Sequence, residues 1–322
     1  MNGRTRIVVV GGGPNCEHDV SLASAASVAS ALDPDRYAVE PLTIGRDGRW
    51  RDADGKLLRG GMPGAVARIQ AADVVFPAVH GPRGEDGTLA ALCDLAGVPY
   101  VGCGVRAGAL AMDKHSTKLI AESVGVRTAR GTVLTSPAAA PPFDLPAIVK
   151  PAAAGSSYGV SRVETPVEFD AAVAAALQLD RRALVETVVV GREIDAAVLE
   201  RPDGALVVGP PLEIVLRGRA IFDTASKYDG TAEFCVPAPL PAADLASLKD
   251  AALALFSALG CAGLARFDFF LTSDGPVLNE VNTMPGMTEH SQLPKMFAAS
   301  GLTYPQLLDV LIATAIARRA RT

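Results

Sequence analysis

The chain opens with an apolar run, RIVVV at 6–10, followed by GGGP and then by HDVSLASAASVASAL, a stretch rich in Ala and Ser. This order predicts a strand, a glycine turn and a helix. YAVEPLTI at 37–44 predicts a second strand and DVVFPAVHG at 73–81 a third; EDGTLAALCDLAG at 85–97 reads as a helix ended by Gly97, before a short strand, VPYVG, at 98–102. Strands alternating with helices imply an open α/β sheet, whose ligands collect past the carboxyl ends of strands. Glu17 and His80 fall just past two such ends, on loops able to converge.

From about residue 105 the pattern changes. MDKHSTKLIAESVG at 112–125 predicts a helix stopped by Gly125; the Ala/Pro-rich SPAAAPPFDLP leads to a strand, AIVK, at 147–150, and the helix PVEFDAAVAAALQL at 166–179 precedes a strand, ALVETVV, at 183–189. A third region carries REIDAAVLE, a polar aperiodic segment around Lys227 and Tyr228 that reads as a lid, the helix DLASLKDAALALFSALG, and RFDFFLTSDGPVLNEVN at 266–282. The expected division is 1–104, 105–186 and 187–322, with no internal repeat.

The last of these segments alternates like a hairpin. Side chains alternate faces along a strand, so Arg266, Asp268, Glu280 and Asn282 share a face only if 268 pairs with 280 and 266 with 282. A two-residue Asp274-Gly275 turn would separate the carboxylates. A three-residue loop, Ser273-Asp274-Gly275 with Gly275 left-handed, keeps them together and is the expected turn. Two carboxylates and an amide oxygen without Cys or His suit Mg²⁺ completed by phosphates; the alternative is an ordinary polar-faced hairpin.

Composition narrows the class. A chain of 322 residues, 49% hydrophobic and 20% charged, has enough apolar surface for two or three domains. The net charge of −5 and the absence of a basic run beyond Arg318, Arg319 and Arg321 give no support to nucleic-acid binding. Those arginines follow an apolar stretch and suit the carboxyl end of a helix. The five cysteines are odd in number and scattered, which predicts reduced thiols and a cytoplasmic protein. IVVV is too short for a signal-peptide core and AALALFSALGCAGLA too short to span a bilayer, so no membrane association is expected.

Gly11 and Gly13 fit the start of a dinucleotide fingerprint, but Cys16 stands at the third glycine and Glu40 lies inside the second strand. A glycine turn shaping a substrate loop fits better. Lys150 ends a strand before the loop Gly155-Ser156-Ser157-Tyr158-Gly159, where a cation and free backbone N–H groups suit a phosphate; a flexible connector is the other reading. Lys114 is a second phosphate cation or a solvated helix lysine. Glu186 and Glu193 flank Val188–Val190, against which a purine would lie while a carboxylate accepts ribose hydroxyls; they also read as surface glutamates at a crossover. The histidines form no metal cluster, and the lack of G-x-S-x-G excludes the common serine hydrolase elbow.

Taken together, EHDVSL at 17–22, HGPRGEDGT at 80–88, AMDK at 111–114, VKPAAAGSSYGV at 149–160, GREI, SKY, GLARFDFF and LNEVNTMPGMTEHS resemble the D-alanine:D-alanine ligases in order and spacing. The resemblance implies an ATP-grasp fold: an amino-terminal open parallel α/β sheet, a central α+β lid domain and a carboxyl-terminal α+β domain. It implies ATP and Mg²⁺ or Mn²⁺, with two D-alanines joined through an acyl phosphate for peptidoglycan, and a homodimer. Lys114, Lys150, Lys227, Glu186, Val188, Val189 and Glu193 would bind ATP; Asp268, Glu280 and Asn282 would bind the metal. Glu17, His80, Ser291 and Gln292 would line the amino-acid subsites. Arg266 and the Gly286 amide would receive the oxyanion, and Ser156 and Tyr228 would link to Glu17 as the lid closes. Tyr228 favours an amine acceptor. Ala153, Tyr158 and Gln292 depart from the family pattern, leaving a ligase for D-serine or another D-amino acid as the alternative.

Overall fold

A computed structural model describes residues 3–137, 140–216 and 232–320. Lys227, Tyr228 and Arg321 lie outside the described residues.

The amino-terminal pattern folds as expected. β1 (Thr5–Gly12), α1 (His18–Ala31), β2 (Tyr37–Ile44), β3 (Trp50–Arg51), α2 (Gly61–Ala71) and β4 (Val74–Pro77) make a sheet of order β3-β2-β1-β4, parallel except at β3. β1 and β4 are buried on both faces, which is why they read as unbroken apolar runs. α3 (Thr88–Ala96) ends at Gly97, whose φ of 69° closes the last turn. The expected strand at 98–102 is only an isolated bridge between Val75 and Tyr100.

The helix expected at 112–125 is shorter than its pattern. α4 (Val105–Met112) stops at Asp113, whose side chain accepts from the Ser116 amide at 2.9 Å and starts α5 (Lys114–Ser123). β5 (Arg127–Thr128) follows. β6 (Gly131–Leu134), β7 (Ala147–Pro151), β8 (Ser161–Val163) and β9 (Ala183–Thr187) form an antiparallel sheet of order β6-β9-β7-β8. It is backed by α6 (Pro166–Leu179), which begins on a Thr165–Glu168 capping box and buries Phe169 and Val173.

The largest sheet runs β13 (Ala232–Cys235), β12 (Leu212–Leu216), β10 (Arg192–Glu200), β14 (Leu264–Thr272), β15 (Gly275–Asn282) and β5, with β11 (Leu206–Val208) paired to β10. Its lower face, including Phe267 and Phe269, packs on α7 (Ala242–Leu259) and on residues of α4 and α5. α8 (Gln292–Ala298) and α9 (Tyr304–Arg319) join the core beneath β1 and β4.

The β14–β15 register places Asp268 opposite Glu280 and Arg266 opposite Asn282, as the alternation requires. The turn is not the expected one. Thr272 pairs with Gly275 around a two-residue Ser273-Asp274 turn, and a bulge opposite the Asp268–Phe269 step leaves Asn279 unpaired and restores parity. Gly275 does take positive φ, at 105°. One extra residue in one strand offsets the one-residue difference in the turn.

Candidate active site

Two adjoining cavities open between the sheets. Lys114, Lys150, Glu186, Val188, Val189 and Glu193 line the first. Glu17, His80, Ser156, Gly286, Ser291 and Gln292 line the second. Lys114, Arg266, Glu280 and Gln292 line both, so the two form one continuous site.

On the first side, Glu186 is buried at the end of β9 and pairs with Lys118 at 2.5 Å and Lys150 at 2.6 Å. Burial pushes its carboxyl up, but the two ammonium groups more than offset this and hold it below its usual range. Burial likewise pulls Lys118 down against the opposing pull of Glu186. Lys150 also donates to Asn279 Oδ1 at 3.2 Å, the side chain that the bulge turns toward it. Lys114 donates to the Ala154 carbonyl at 2.6 Å and lies 3.5 Å from Glu280, tying the serine loop to β15.

That loop reaches across to the amino-terminal sheet. Ser156 and Ser157 both hold positive φ, at 50° and 57°, a conformation costly for non-glycine residues. Ser156 donates to Glu17 Oε1 at 2.5 Å. Gly155 permits the approach, because a Cβ there would stand 2.2 Å from Glu17 Oε2.

The floor is a row of three carboxyls in register: Asp195 on β10, Asp268 on β14 and Glu280 on β15. Arg266 grips Asp268 with two hydrogen bonds, 2.7 and 2.8 Å, and donates to Gln292 Oε1 at 2.7 Å. Burial alone would lower Arg266; Asp268 and Asp195 raise it far enough that it is a permanent cation. Burial and then Asp268 push the Asp195 carboxyl well above its ordinary range, against the opposing pull of Arg266 3.5 Å away. Asn282 donates to Asp268 Oδ2 at 3.0 Å. Arginine is donor-only, so the Gln292 carbonyl must face it; the Nε2 group is then buried with no hydrogen-bond partner among the described residues.

His80 is fully enclosed. Its Nδ1 donates to the Met284 carbonyl at 2.8 Å and its Nε2 meets Ser24 Oγ at 2.8 Å, while burial lowers it to about 4. Glu85, beside it, accepts from the Gly81 and Met284 amides; burial and then Glu17 push its carboxyl well up. Ser291 Oγ meets Thr288 Oγ1 at 2.8 Å and stands next to Gly286.

Residues 6–103 match the family model described as D-ala D-ala ligase N-terminus, and 134–313 the model described as D-ala D-ala ligase C-terminus. The chain belongs to the D-alanine:D-alanine ligase family. It is 44% identical to D-alanine--D-alanine ligase A of Mesorhizobium japonicum, covering 100% of both chains, and 42% identical to a D-alanine--D-alanine ligase of Mycolicibacterium smegmatis over 98% of this chain and 96% of that one. It superposes with a TM-score of 0.82 and 27% identity on the Bacillus anthracis D-alanine--D-alanine ligase complexed with ATP, covering 98% and 99% of the two chains. The fold is ATP-grasp, and the enzyme is an ATP-dependent ligase joining two D-alanines for peptidoglycan synthesis.

Every site residue read from the sequence within the described residues lines one or both of these cavities. Four neighbours went unread: Asp195, Lys118, Glu85 and Asn279. Asp195 lies two positions from Glu193, and Lys118 four from Lys114, spacings that placed both on the right face. Asn279 gave no such signal, since only the bulge aims it inward. Among the described residues no helix is long and apolar enough to cross a membrane, and no three His, Cys, Asp or Glu cluster as a metal cage.

Proposed function

We propose that Lys114, Lys150 and Lys227 neutralise the phosphates of ATP while the Val188–Val189 backbone, Glu186 and Glu193 hold its base and ribose. Asp268, Glu280 and Asn282 would hold Mg²⁺ or Mn²⁺, an all-oxygen set that leaves coordination positions for phosphates. When bound, the ion supplies charge neutralisation for phosphoryl transfer. Glu17 anchors the first D-alanine's ammonium, with His80 backing that subsite, so that its carboxylate attacks the γ-phosphorus and ADP leaves. Ser291 receives the second D-alanine's carboxylate, and Gln292 borders it. The incoming amine attacks the acyl carbonyl; Arg266 and the Gly286 amide stabilise the oxyanion until phosphate leaves. Ser156 and Tyr228 close over Glu17 and exclude water, and Tyr228 selects an amine over a hydroxyl nucleophile. The three-way division at 104/105 and 186/187, a homodimer and a cytoplasmic location complete the proposal.

The observation that carries this reading is the in-register row, with Arg266 lining one cavity together with Lys114 and Glu17. Purified protein with ATP, Mg²⁺ and D-alanine should release phosphate and dipeptide, and Glu280→Gln should raise the Mg²⁺ concentration needed for half-maximal rate. An unchanged Mg²⁺ requirement would overturn the metal assignment.

A further inference from the structure

The serines of α1 have no part in the roles above, yet Ser21 and Ser24 are fully buried. With Glu17 they fall at i, i+4 and i+7, one face of the helix. Burying hydroxyls in place of methyl groups costs free energy unless each is bonded. Ser21 accepts from the His80 amide at 2.9 Å and donates to the Glu17 carbonyl at 3.0 Å. Ser24 does more. Its Oγ meets His80 Nε2 at 2.8 Å and accepts from the Met287 amide at 3.2 Å.

The polarity of this chain of bonds is fixed. A carbonyl only accepts, so His80 Nδ1 carries the proton given to Met284 at 2.8 Å. The imidazole is neutral, Nε2 is therefore an acceptor, and Ser24 donates to it while receiving Met287 N–H. Ser24 and His80 thus span the Met284 carbonyl and the Met287 amide, the two ends of the segment that carries Gly286.

We propose that Ser24 is a positioning residue: through His80 and Met287 it holds the Met284–Met287 segment so that the Gly286 amide faces the developing oxyanion. This rests on the role given above to Gly286. The same helix face then sets both the ammonium anchor, Glu17, and the oxyanion donor, so the two ends of the first substrate are gauged against one rigid element. Alanine at 24 would keep the helix and break both bonds.

The test uses the full chain with ATP, Mg²⁺ and D-alanine. Ser24→Ala should lower kcat about 10- to 100-fold, as expected for a misplaced catalytic group, with the KM values for ATP and D-alanine unmoved. Hydrogen exchange across 284–287 should accelerate, and Ser24→Thr, which keeps the hydroxyl, should recover most of the rate. The thermal unfolding midpoint checks each variant; if the extra methyl of Thr prevents folding, exchange and kcat of the Ala variant decide. Unchanged exchange would overturn the proposal directly. Faster exchange with unchanged kcat would overturn it through the Gly286 role, and a raised KM with intact kcat would reduce Ser24 to support for Glu17.

Discussion

Glu186 holds two lysines of the first cavity with one buried carboxylate, and neither lysine pairs with a second carboxylate among the described residues. Removing one partner of a buried ionic group leaves uncompensated charge, a loss of about 3–5 kcal/mol. Glu186→Gln should therefore lower the unfolding free energy in urea by that order and raise the KM for ATP; a variant with wild-type values of both would show that Lys118 and Lys150 need no anchor. His80 gives a pH signature. Its folded pKa of about 4 lies below the usual 6.5 because burial disfavours the cation, with Arg266 adding repulsion. Folding is unaffected above pH 6.5, and stability is lost as pH falls from there toward 4, where the unfolded chain takes the proton and the folded one does not. Between pH 7 and 4.5 the wild type should lose about 2–3 kcal/mol more than His80→Gln, measured by urea unfolding at both pH values. Equal losses would mean that the imidazole titrates freely. Glu85, shifted the opposite way, is common to both proteins and cancels in the comparison.

At the scale of elements, β14 does two jobs through alternation: Arg266 and Asp268 face the site while Phe267 between them fills the core against α7. Phe267→Ala should cost about 3–5 kcal/mol, read from denaturant unfolding, with kcat falling because the row loses its support. A loss below about 1 kcal/mol would show that the core collapses to fill the space. The hairpin also shows where pattern reading stops. The pairing of 268 with 280 was the condition for the carboxylates to share a face, expected through a three-residue turn, but a two-residue turn plus a bulge meets the same condition. The choice between them was settled by the pairing around Thr272 and Gly275. Likewise, the helix expected from 112 begins only after Asp113, because a capping carboxylate bonding Ser116 ends one helix and opens the next.

In the whole molecule the site exists only where three sheets meet. β1 and β4 share a core with α9 and the Met284–Met287 segment, so Glu17 and His80 are held against Gly286 by apolar packing as well as by hydrogen bonds. The sequence by itself determined the elements with strong local signals: unbroken apolar strands, the helix at 166–179, the glycine stop at Gly97, and the motif order that carries family and reaction. These are properties of neighbouring positions, and neighbours are what a sequence displays. Tertiary structure alone decided the rest. Asn279 enters the site by a bulge, burial and the Asp268 carboxyl on the next strand push Asp195 upward, and His80 spends both ring nitrogens on partners 56 and 204 residues away. Desolvation, charge and hydrogen-bond polarity act through space, so they are fixed only when distant segments come together.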